Sequence, residues 1–208
     1  MKLVALVGGS GAGKSTVLRG LCAHFGPRVS VLSCDDYYLP KAQLPVDDQG
    51  MTNFDLPEVI DHGKLIADID RLRAGEGVEL DTYTYNRDVM ASARIRIEPT
   101  EWLIVEGLFV MAYPGVRERA TLVGYIDAPV EVRLARRIQR DGTERGYSAE
   151  EVMYQWENHV RPSDLAFIEP WRDRADVVID NHHHWQDGLQ ALVNRMESWE
   201  QQGHPGQD

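Results

Sequence analysis

A glycine-rich octapeptide is the strongest chemical signal in the sequence. It reads Gly8-Gly9-Ser10-Gly11-Ala12-Gly13-Lys14-Ser15 and fits the pattern G-x-x-x-x-G-K-[ST]. Glycines let successive backbone N–H groups curl around phosphate oxygens, and the N-terminus of a following helix adds partial positive charge. The pattern therefore predicts a nucleotide site at residues 8–15 and Thr16, in which Lys14 reaches the outer phosphates and Ser15 binds Mg²⁺.

Two neighbouring acids, Asp35 and Asp36, follow the apolar run of residues 29–33. In open α/β sheets the carboxyl ends of the strands form the ligand crevice, so a carboxylate there can accept the proton of an attacking hydroxyl. A solvated turn is the alternative for two adjacent acids in a loop. The aromatic pair Tyr37-Tyr38, which comes next, favours a pocket.

A third acid, Glu106, ends the apolar run of residues 102–105. A carboxylate at such a strand end lies beside the phosphate-binding loop, where it can hold Mg²⁺ directly or through a water molecule. A surface glutamate at a strand end is the alternative. Ser15 and Glu106 are therefore the predicted metal-side residues.

Four arginines share one face of a helix predicted over residues 130–140. They are Arg133, Arg136, Arg137 and Arg140, at positions i, i+3, i+4 and i+7. Leu134 and Ile138 are expected to anchor another face of this helix on the core, which leaves the arginines to contact an anion such as a transferred phosphoryl group. A solvated basic face paired with nearby acids is the alternative. The glycine-flanked segment that follows predicts a lid over residues 140–147.

The composition limits the classes of function. The chain has 208 residues, 43% of them hydrophobic, and a formal net charge of −11. This acidic balance disfavours a nucleic-acid or anionic-membrane surface, since both require clustered positive charge. No apolar stretch approaches the ~20 residues that span a bilayer, and the chain enters a predicted strand at once, so we expect a cytoplasmic protein. Cys22 and Cys34 are expected to be reduced thiols.

Short apolar runs rich in branched residues alternate with segments of helical spacing. Strands are predicted at residues 3–7, 29–33, 102–105, 122–126 and 177–179. Helices are predicted at residues 15–24, 58–72, 130–140, 148–159 and 185–199. This alternation indicates an α/β fold, an open parallel sheet of about five strands with flanking helices, in one domain of residues 1–200 with a polar tail at 201–208. Residues 36–56 are predicted to form a long functional loop, and residues 78–97 a small hairpin-like insertion on the substrate side.

The order of these segments resembles the uridine kinase and phosphoribulokinase family of P-loop kinases. The resemblance covers roughly residues 2–180. It rests on the phosphate-binding loop and on residues 32–38, 53–57, 105–107, 133–146 and 175–179. It implies a P-loop kinase fold and an ATP-dependent enzyme with Mg²⁺ that phosphorylates a hydroxyl of a small molecule, uridine and cytidine being the nearest family substrates. The oligomeric state is left open, with a homo-oligomer as one option.

The resemblance also implies roles for individual residues. Asp35 matches the family's catalytic acid, with Asp36 as its rival, and Arg133 and Arg136 match arginines of the lid helix. The implied catalytic set is Lys14, Asp35 and Arg136, and Arg137 joins the ATP-binding residues. The implied substrate-side residues are Asp35, Tyr38, Asp55, Tyr83 and Arg133.

The sequence departs from the family pattern after Tyr83. Uridine kinases usually place a base-reading His five residues after this Tyr and an Arg two residues beyond it, whereas here Asp88 and Met90 stand at those positions. A carboxylate cannot donate a hydrogen bond to a base carbonyl. This departure predicts that uridine and cytidine are poor substrates and that the preferred compound carries donors or positive charge on the group facing this loop. A realigned loop, in which Arg87 or Arg94 takes the place of the missing residues, is the alternative.

The predicted mechanism is in-line transfer of the γ-phosphoryl group of ATP to a substrate hydroxyl. Two other classes of protein also carry a phosphate-binding loop. A GTPase switch would need a guanine-reading Asn-Lys-x-Asp element, which the sequence lacks. A regulator without catalysis would not need to keep Asp35, Glu106 and the arginine stripe together, so their joint presence favours a kinase.

Overall fold

Five parallel strands form the main sheet of the computed structural model, which describes residues 1–83 and 93–201. The strands of these residues are, in chain order, β1 (Lys2–Val7), β2 (Val29–Ser33), β3 (Val78–Asp81), β4 (Arg94–Ile97), β5 (Trp102–Gly107), β6 (Leu122–Asp127) and β7 (Val177–Asp180). The spatial order of the main sheet is β2-β5-β1-β6-β7, so β1 lies at its centre. The predicted α/β fold with an open parallel sheet of five strands is confirmed.

Helices connect these strands. In chain order they are α1 (Lys14–Phe25), α2 (His62–Arg73), α3 (Pro114–Arg117), α4 (Val130–Glu144), α5 (Ala149–Gln155), α6 (Arg161–Ser163) and α7 (Trp185–Gln201). The parallel strands need such crossover connections, because a short hairpin can join only antiparallel neighbours. No helix of the described ranges has the length and apolar character needed to cross a membrane.

The central strand β1 is buried on both faces, as its uninterrupted apolar sequence predicts. Its odd-numbered residues Leu3, Ala5 and Val7 face a core cluster that includes Leu65 and Ile69 of α2. Its even-numbered residues Val4 and Leu6 face a second cluster built with α1 and α7. The two cores fix the sheet between helical layers and hold the strand ends in place.

The strand register brings the predicted functional residues together at one edge of the sheet. Val7 pairs with Gly107 across β1 and β5, so the phosphate-binding loop begins beside the end of β5. Ser33 pairs with Glu106 across β2 and β5. The residues that follow β1, β2 and β5 therefore meet at the carboxyl edge, where ligand crevices form in open α/β sheets.

Helix α2 begins four residues later than the sequence predicts. Pro57 opens a short 3₁₀ turn, Pro57–Val59, instead of the α-helix itself. The α-helix starts only after Asp61, whose Oδ1 accepts a hydrogen bond from the Lys64 N–H at 2.9 Å and so satisfies one of the free donors of the first turn. The N-cap residue, rather than the proline, sets the helix start.

The helix predicted over residues 148–159 starts as expected but extends much further. Ser148 and Glu151 form the predicted capping box, with reciprocal hydrogen bonds of 3.2 and 2.8 Å. Helical structure then continues to Arg174 through two π-helical segments, Trp156–Val160 and Asp164–Ile168. The wide turns re-aim the side chains of this stretch, and such π-segments are frequent at functional sites.

The insertion on the substrate side is a two-stranded antiparallel pair, in which Val78 lies opposite Ile97 and Asp81 opposite Arg94. This agrees with the predicted hairpin-like strands. Residues 84–92, which connect the two strands and include Asp88 and Met90, lie outside the described residues. The long loop after β2 is confirmed, with short 3₁₀ turns and an isolated bridge between Val46 and Thr52.

Candidate active site

The phosphate-binding loop adopts the conformation that its glycines permit. Gly11 and Gly13 have φ angles of 76° and 95°, in the left-handed region that residues with a Cβ avoid. A Cβ on Gly11 would lie 2.3 Å from the Arg133 carbonyl oxygen, and one on Gly13 would lie 1.9 Å from Asn181 Nδ2. Both positions therefore require glycine, for the backbone angle and for the close neighbour.

Lys14 is the first residue of α1 and lies at the floor of the cleft. Its Nζ donates a hydrogen bond to the Gly8 carbonyl at 2.9 Å, so the side chain folds back over the loop. Burial lowers the pKa of Lys14, and the nearby carboxylates of Glu106 and Asp35 partly offset this effect. The ammonium group thus lies between the phosphate-binding loop and the two carboxylates predicted for the Mg²⁺ side and for the base.

Glu106 lies beside β2, as the register requires. The Ser33 hydroxyl donates a 2.6 Å hydrogen bond to Glu106 Oε1. Burial raises the pKa of Glu106, the nearby Asp35 charge raises it further, and the Lys14 charge opposes both effects. A shielded carboxylate of this kind gains most from a cation placed next to it, which is the situation of a Mg²⁺ ligand.

The two adjacent acids after β2 have different surroundings. Asp35 is exposed and lines the cleft together with Lys14. Asp36 is half-buried, and its Oδ1 accepts a hydrogen bond from the Tyr83 N–H at 2.9 Å. Burial raises the pKa of Asp36 while this hydrogen bond lowers it. The structure therefore separates a carboxylate facing the cleft from one that holds the substrate-side segment.

The cleft has a volume of about 230 Å³ and joins the phosphate-binding loop to the substrate side. It brings together predicted residues from five parts of the chain. These are Ser10, Gly11, Lys14, Asp35, Tyr38, Asp55, Tyr83 and Arg137. Phe54 and Leu108 add apolar surface, and Arg140 and Arg145 add two further guanidinium groups.

An aromatic wall, defined by Tyr38, Phe54 and Tyr83, lines the side of the cleft that is predicted to bind the substrate. The ring centroids of Tyr38 and Tyr83 are 5.0 Å apart, and the Phe54 ring meets Tyr38 edge-on at 5.9 Å. The Tyr38 hydroxyl donates to the Phe54 carbonyl at 3.3 Å. Such a surface suits a flat ring, because aromatic contacts favour offset or edge-on neighbours.

Arg137 links the phosphate side of the cleft to its substrate side. Its Nη1 donates to Ser10 Oγ at 3.0 Å and lies 3.6 Å from Asp55 Oδ1. Its Nη2 donates to Gln155 Oε1 at 3.1 Å. Although it is a cation, the residue is only 4% exposed, which its several polar partners make possible.

Helix α4 buries part of its arginine face instead of the face predicted. Its buried residues are Arg133, Arg137 and Asp141, whereas Leu134 and Ile138 are only half-buried. The expectation that these two aliphatic residues anchor the helix on the core is wrong. The helix packs on the phosphate-binding loop, whose carbonyls and hydroxyl give the guanidinium groups hydrogen-bond acceptors, and this compensates for burying charge.

Arg133 is not among the residues that line the cleft, contrary to its predicted substrate-side role. Its Nε donates to the Ser10 carbonyl at 3.0 Å, its Nη2 forms an ion pair with Asp164, and its guanidinium lies over the Trp156 ring. Arg133 therefore braces the phosphate-binding loop from behind. Its spacing along the helix placed Arg133 in the arginine stripe. This spacing does not show which arginines line the cleft and which lie behind the phosphate-binding loop.

Arg136 contacts backbone rather than the cleft. Its Nη2 donates to the Asn181 carbonyl at 2.9 Å and its Nη1 to the Gly11 carbonyl at 3.3 Å. The cleft arginines are Arg137, Arg140 and Arg145. Of these, Arg137 and Arg140 belong to the predicted arginine stripe, whereas Arg145 was not singled out, although it belongs to the predicted lid segment.

Sequence reasoning missed the buried polar face of the helical stretch after Ser148. Four side chains there each contact a different part of the site. They are Gln155 on Arg137, His159 on Asp47, Ser163 on the Asp55 carbonyl and Asp164 on Arg133. The first three recur at intervals of four residues, a spacing that could have revealed a polar helix face.

Residues 3–185 match the model of the Phosphoribulokinase / Uridine kinase family. The chain belongs to this family. It is similar to the uridine kinase of Chloroflexus aurantiacus, with 34% identity over 94% of both chains, and to that of Halobacterium salinarum, with 31% identity over 94% of this chain and 90% of the relative. Family membership makes it an ATP-dependent phosphotransferase that acts on a hydroxyl group of a small molecule.

Solved structures agree with the fold. A D-glycerate 3-kinase from Cryptococcus neoformans superimposes with a TM-score of 0.58 at 16% identity, covering 80% of this chain and 78% of that one. A candidate fructose transport system kinase from Silicibacter sp. TM1040 reaches a TM-score of 0.67 at 22% identity, covering 85% and 88%. These likenesses establish the P-loop kinase fold of this family member.

Proposed function

We propose that the chain transfers the γ-phosphoryl group of ATP to a hydroxyl of a ring compound of nucleoside size, with Asp35 as general base. The observation that carries this proposal is the position of Asp35 in the same cleft as Lys14 and Arg137. A hydroxyl next to Asp35 would face the phosphate-binding residues. Phosphoryl transfer needs mainly such positioning and the neutralisation of charge.

The cleft supplies that neutralisation from both sides. Lys14 faces it from the phosphate-binding loop, and Arg137, Arg140 and Arg145 face it from the end of α4. Guanidinium groups suit phosphoryl oxygens because their N–H groups form a planar fork. These four cations would therefore stabilise the charge that develops on the transferred group.

The residues present also fit Mg²⁺. Ser15 offers a hydroxyl and Glu106 a carboxylate, both hard oxygen ligands of the kind this ion prefers. Gly11 and Gly13 let the loop curl tightly against Arg133 and Asn181, where a Cβ would clash, and this curl would present backbone N–H groups to phosphate oxygens. When bound, the ion would neutralise charge on the phosphates.

The substrate class follows from the aromatic wall and from the relatives. Tyr38, Phe54 and Tyr83 offer a surface for a flat ring, and Asp55 offers a carboxylate to hydroxyl groups nearby. The relatives named uridine kinase support a nucleoside. Asp88, in place of a base-reading His, favours a ring that presents hydrogen-bond donors over one that presents a carbonyl.

A substrate screen tests this function. Purified protein with ATP and Mg²⁺ is offered nucleosides, ribosides, and small sugar and vitamin alcohols, while ADP release is followed and products are identified by mass spectrometry. We expect ADP release to rise only with a hydroxyl compound and the product to be its phosphate monoester. ATP hydrolysis that no compound in the panel stimulates, with no phosphorylated product, would contradict the proposal.

A further inference from the structure

Asp141 is a fully buried carboxylate at the back of the cleft, near the end of α4. Three arginines surround it. Arg140 Nε donates to Oδ1 at 2.7 Å, Arg145 Nη1 lies 3.3 Å from the same oxygen, and Arg137 Nε lies 3.2 Å from Oδ2. These are the same three arginines that line the cleft.

The contacts leave Asp141 itself out of reach of any bound compound. The residue is 0% exposed and is not among those that line the cleft. Its backbone carbonyl also accepts hydrogen bonds from the Arg145 and Tyr147 N–H groups, each at 3.2 Å. Asp141 is therefore anchored by its backbone on one side and holds guanidinium groups with its carboxylate on the other.

Three guanidinium groups that converge on one cleft repel each other unless an anion lies between them. An arginine side chain also has large rotamer freedom, which must be lost for it to hold one direction. A buried carboxylate addresses both problems, because it offsets part of the charge and fixes each guanidinium from behind. The three guanidinium groups are then held at the lining of the cleft before phosphate arrives.

We propose that Asp141 is a positioning residue for phosphoryl transfer, which acts by holding Arg137, Arg140 and Arg145 toward the transferred group. The inference rests on the proposed function, since it assigns these arginines to that group. Preorganised charge of this kind lowers the barrier because little reorganisation is needed during the reaction. Misplacement of such groups by about 1 Å costs on the order of 100-fold in rate.

The test compares Asp141→Asn with wild type and with a control. Asn keeps the size of the side chain and removes its charge. The control, Asp68→Asn, also removes a buried carboxylate, but one that accepts a hydrogen bond from the Tyr37 hydroxyl and contacts none of the cleft arginines. With all proteins shown to be folded by circular dichroism, we expect kcat of Asp141→Asn to fall roughly 10- to 100-fold, with a much smaller change in the KM of the hydroxyl substrate, and Asp68→Asn to retain its kcat.

A double-mutant cycle separates positioning from a purely structural role. In an Arg145→Ala background, Asp141→Asn should cost at least threefold less in kcat than it costs in wild type, because one of the groups through which it acts is gone. The double variant loses one positive and one negative charge together, which leaves no unpaired buried charge from this pair. If Asp141→Asn alone does not fold, kcat is measured on the double variant instead. Equal costs in both backgrounds would overturn the proposal.

A binding measurement gives a readout that does not need turnover. The ratio of ADP to ATP dissociation constants, measured by calorimetry with Mg²⁺, reports the contacts to the terminal phosphate. We expect Asp141→Asn to reduce this preference for ATP severalfold and Asp68→Asn to keep it. An unchanged ratio together with an unchanged kcat would overturn the role of Asp141, whereas a wild-type protein that phosphorylates no hydroxyl would overturn the proposed function instead.

Discussion

Asp36 holds Tyr83 in place: its carboxylate accepts a hydrogen bond from the Tyr83 backbone N–H at 2.9 Å, across 47 positions of sequence. Tyr83 is the last described residue before the segment that departs from the family pattern, and its ring contacts Tyr38 in the aromatic wall. One of the two adjacent acids is thus engaged with the substrate side. Its neighbour Asp35 faces the cleft, which bears directly on the choice of the base.

Asp35→Asn is therefore expected to lower kcat by about 10²-fold or more, the usual contribution of a general base, while ATP affinity stays close to that of wild type. Asp36→Asn is the matched control, since it changes the adjacent residue in the same way. It should raise the KM of the hydroxyl substrate more than it lowers kcat, because an amide is a weaker acceptor for the Tyr83 N–H. Steady-state kinetics of both variants would show the opposite pattern if Asp36 were the base.

Lys14→Ala is expected to abolish phosphoryl transfer with little loss of folding. In the described part of the chain the Lys14 ammonium donates a hydrogen bond to the Gly8 carbonyl of the phosphate-binding loop, so we expect its main contribution to be to the ligand and not to the core. Lys2→Ala, at the opposite end of β1, is the control and should keep full activity. Thermal melts and an ADP-release assay check both. A Lys14→Ala protein that unfolds, or one that retains full activity, would speak against the assignment.

The fold could be predicted from sequence largely because its signals are local. Each parallel strand is a short branched apolar run, and the phosphate-binding loop has a specific spacing. The positions of the arginines of α4 could not be predicted in the same way. Helical phase places Arg133, Arg136 and Arg137 on one face, but only tertiary packing decides that Arg133 lies behind the loop, that Arg136 contacts Asn181, and that Arg137 reaches the cleft.

Helix α2 gives a second case of the same limit. Pro57 and the apolar spacing after it correctly predict a helical segment, but the Asp61 side chain satisfies the first-turn donors and moves the start to His62. The π-helical segments after Gln155 have no local sequence signature at all. Their positions follow from the contacts that Ser163 and Asp164 make with distant parts of the chain.

Arg137→Ala is expected to affect turnover more than Arg136→Ala does. Arg137 lies in the cleft, so its loss should lower kcat by about 10²-fold, well beyond the effect of removing a surface ion pair. Arg136 contacts the backbone of the phosphate-binding loop and Asn181, so its loss should mainly raise the KM of ATP. Kinetics with ATP and hydroxyl substrate varied separately would distinguish the two. Near-wild-type constants for both variants would show that neither arginine contributes to phosphoryl transfer or to ATP binding.

The hydrogen bonds of Asp47 predict that this residue contributes to the stability of the fold in a pH-dependent way. Its Oδ2 accepts hydrogen bonds from Tyr154 and His159, both at 2.8 Å, and ties the long loop to the helical stretch after Ser148. Desolvation raises the pKa of Asp47, but these bonds and those from backbone N–H groups outweigh it and set the pKa at about 2. Because the folded pKa lies below the unfolded value near 3.9, the carboxylate stabilises the fold at higher pH and loses this effect as pH falls from about 4 to 2.

Asp47→Asn should therefore lower the melting temperature at pH 7, and the difference from wild type should shrink as pH falls below about 4. Asp48→Asn, an exposed neighbour in the same loop, is the control and should melt like wild type at every pH. Calorimetric melts across pH 3 to 7 measure the effect. A difference that stays constant over this range would show that Asp47 contributes through packing and not through its charge.

The sequence departs from its uridine kinase relatives at a position that is predicted to determine the choice of substrate. Asp88 stands where uridine kinases place a base-reading His, and a carboxylate changes both the hydrogen-bond polarity and the charge at that position of the sequence. A site built to bind a donor rejects a compound that offers only acceptors there, because the buried polar group is left unpaired. We therefore expect uridine and cytidine to be poor substrates relative to ring compounds that present amino groups or positive charge.

Asp88→His provides the sharpest test of this expectation, since it restores the family residue at a single position. The variant should raise kcat/KM for uridine at least tenfold while lowering it for the best substrate found in the screen. Asp81→His, which changes an exposed acid in β3, is the control for adding an imidazole to the same insertion and should change neither value. A wild-type kcat/KM for uridine on the order of 10⁴ M⁻¹s⁻¹ or more, ordinary for a physiological substrate, would refute the expectation and establish uridine as a substrate despite Asp88.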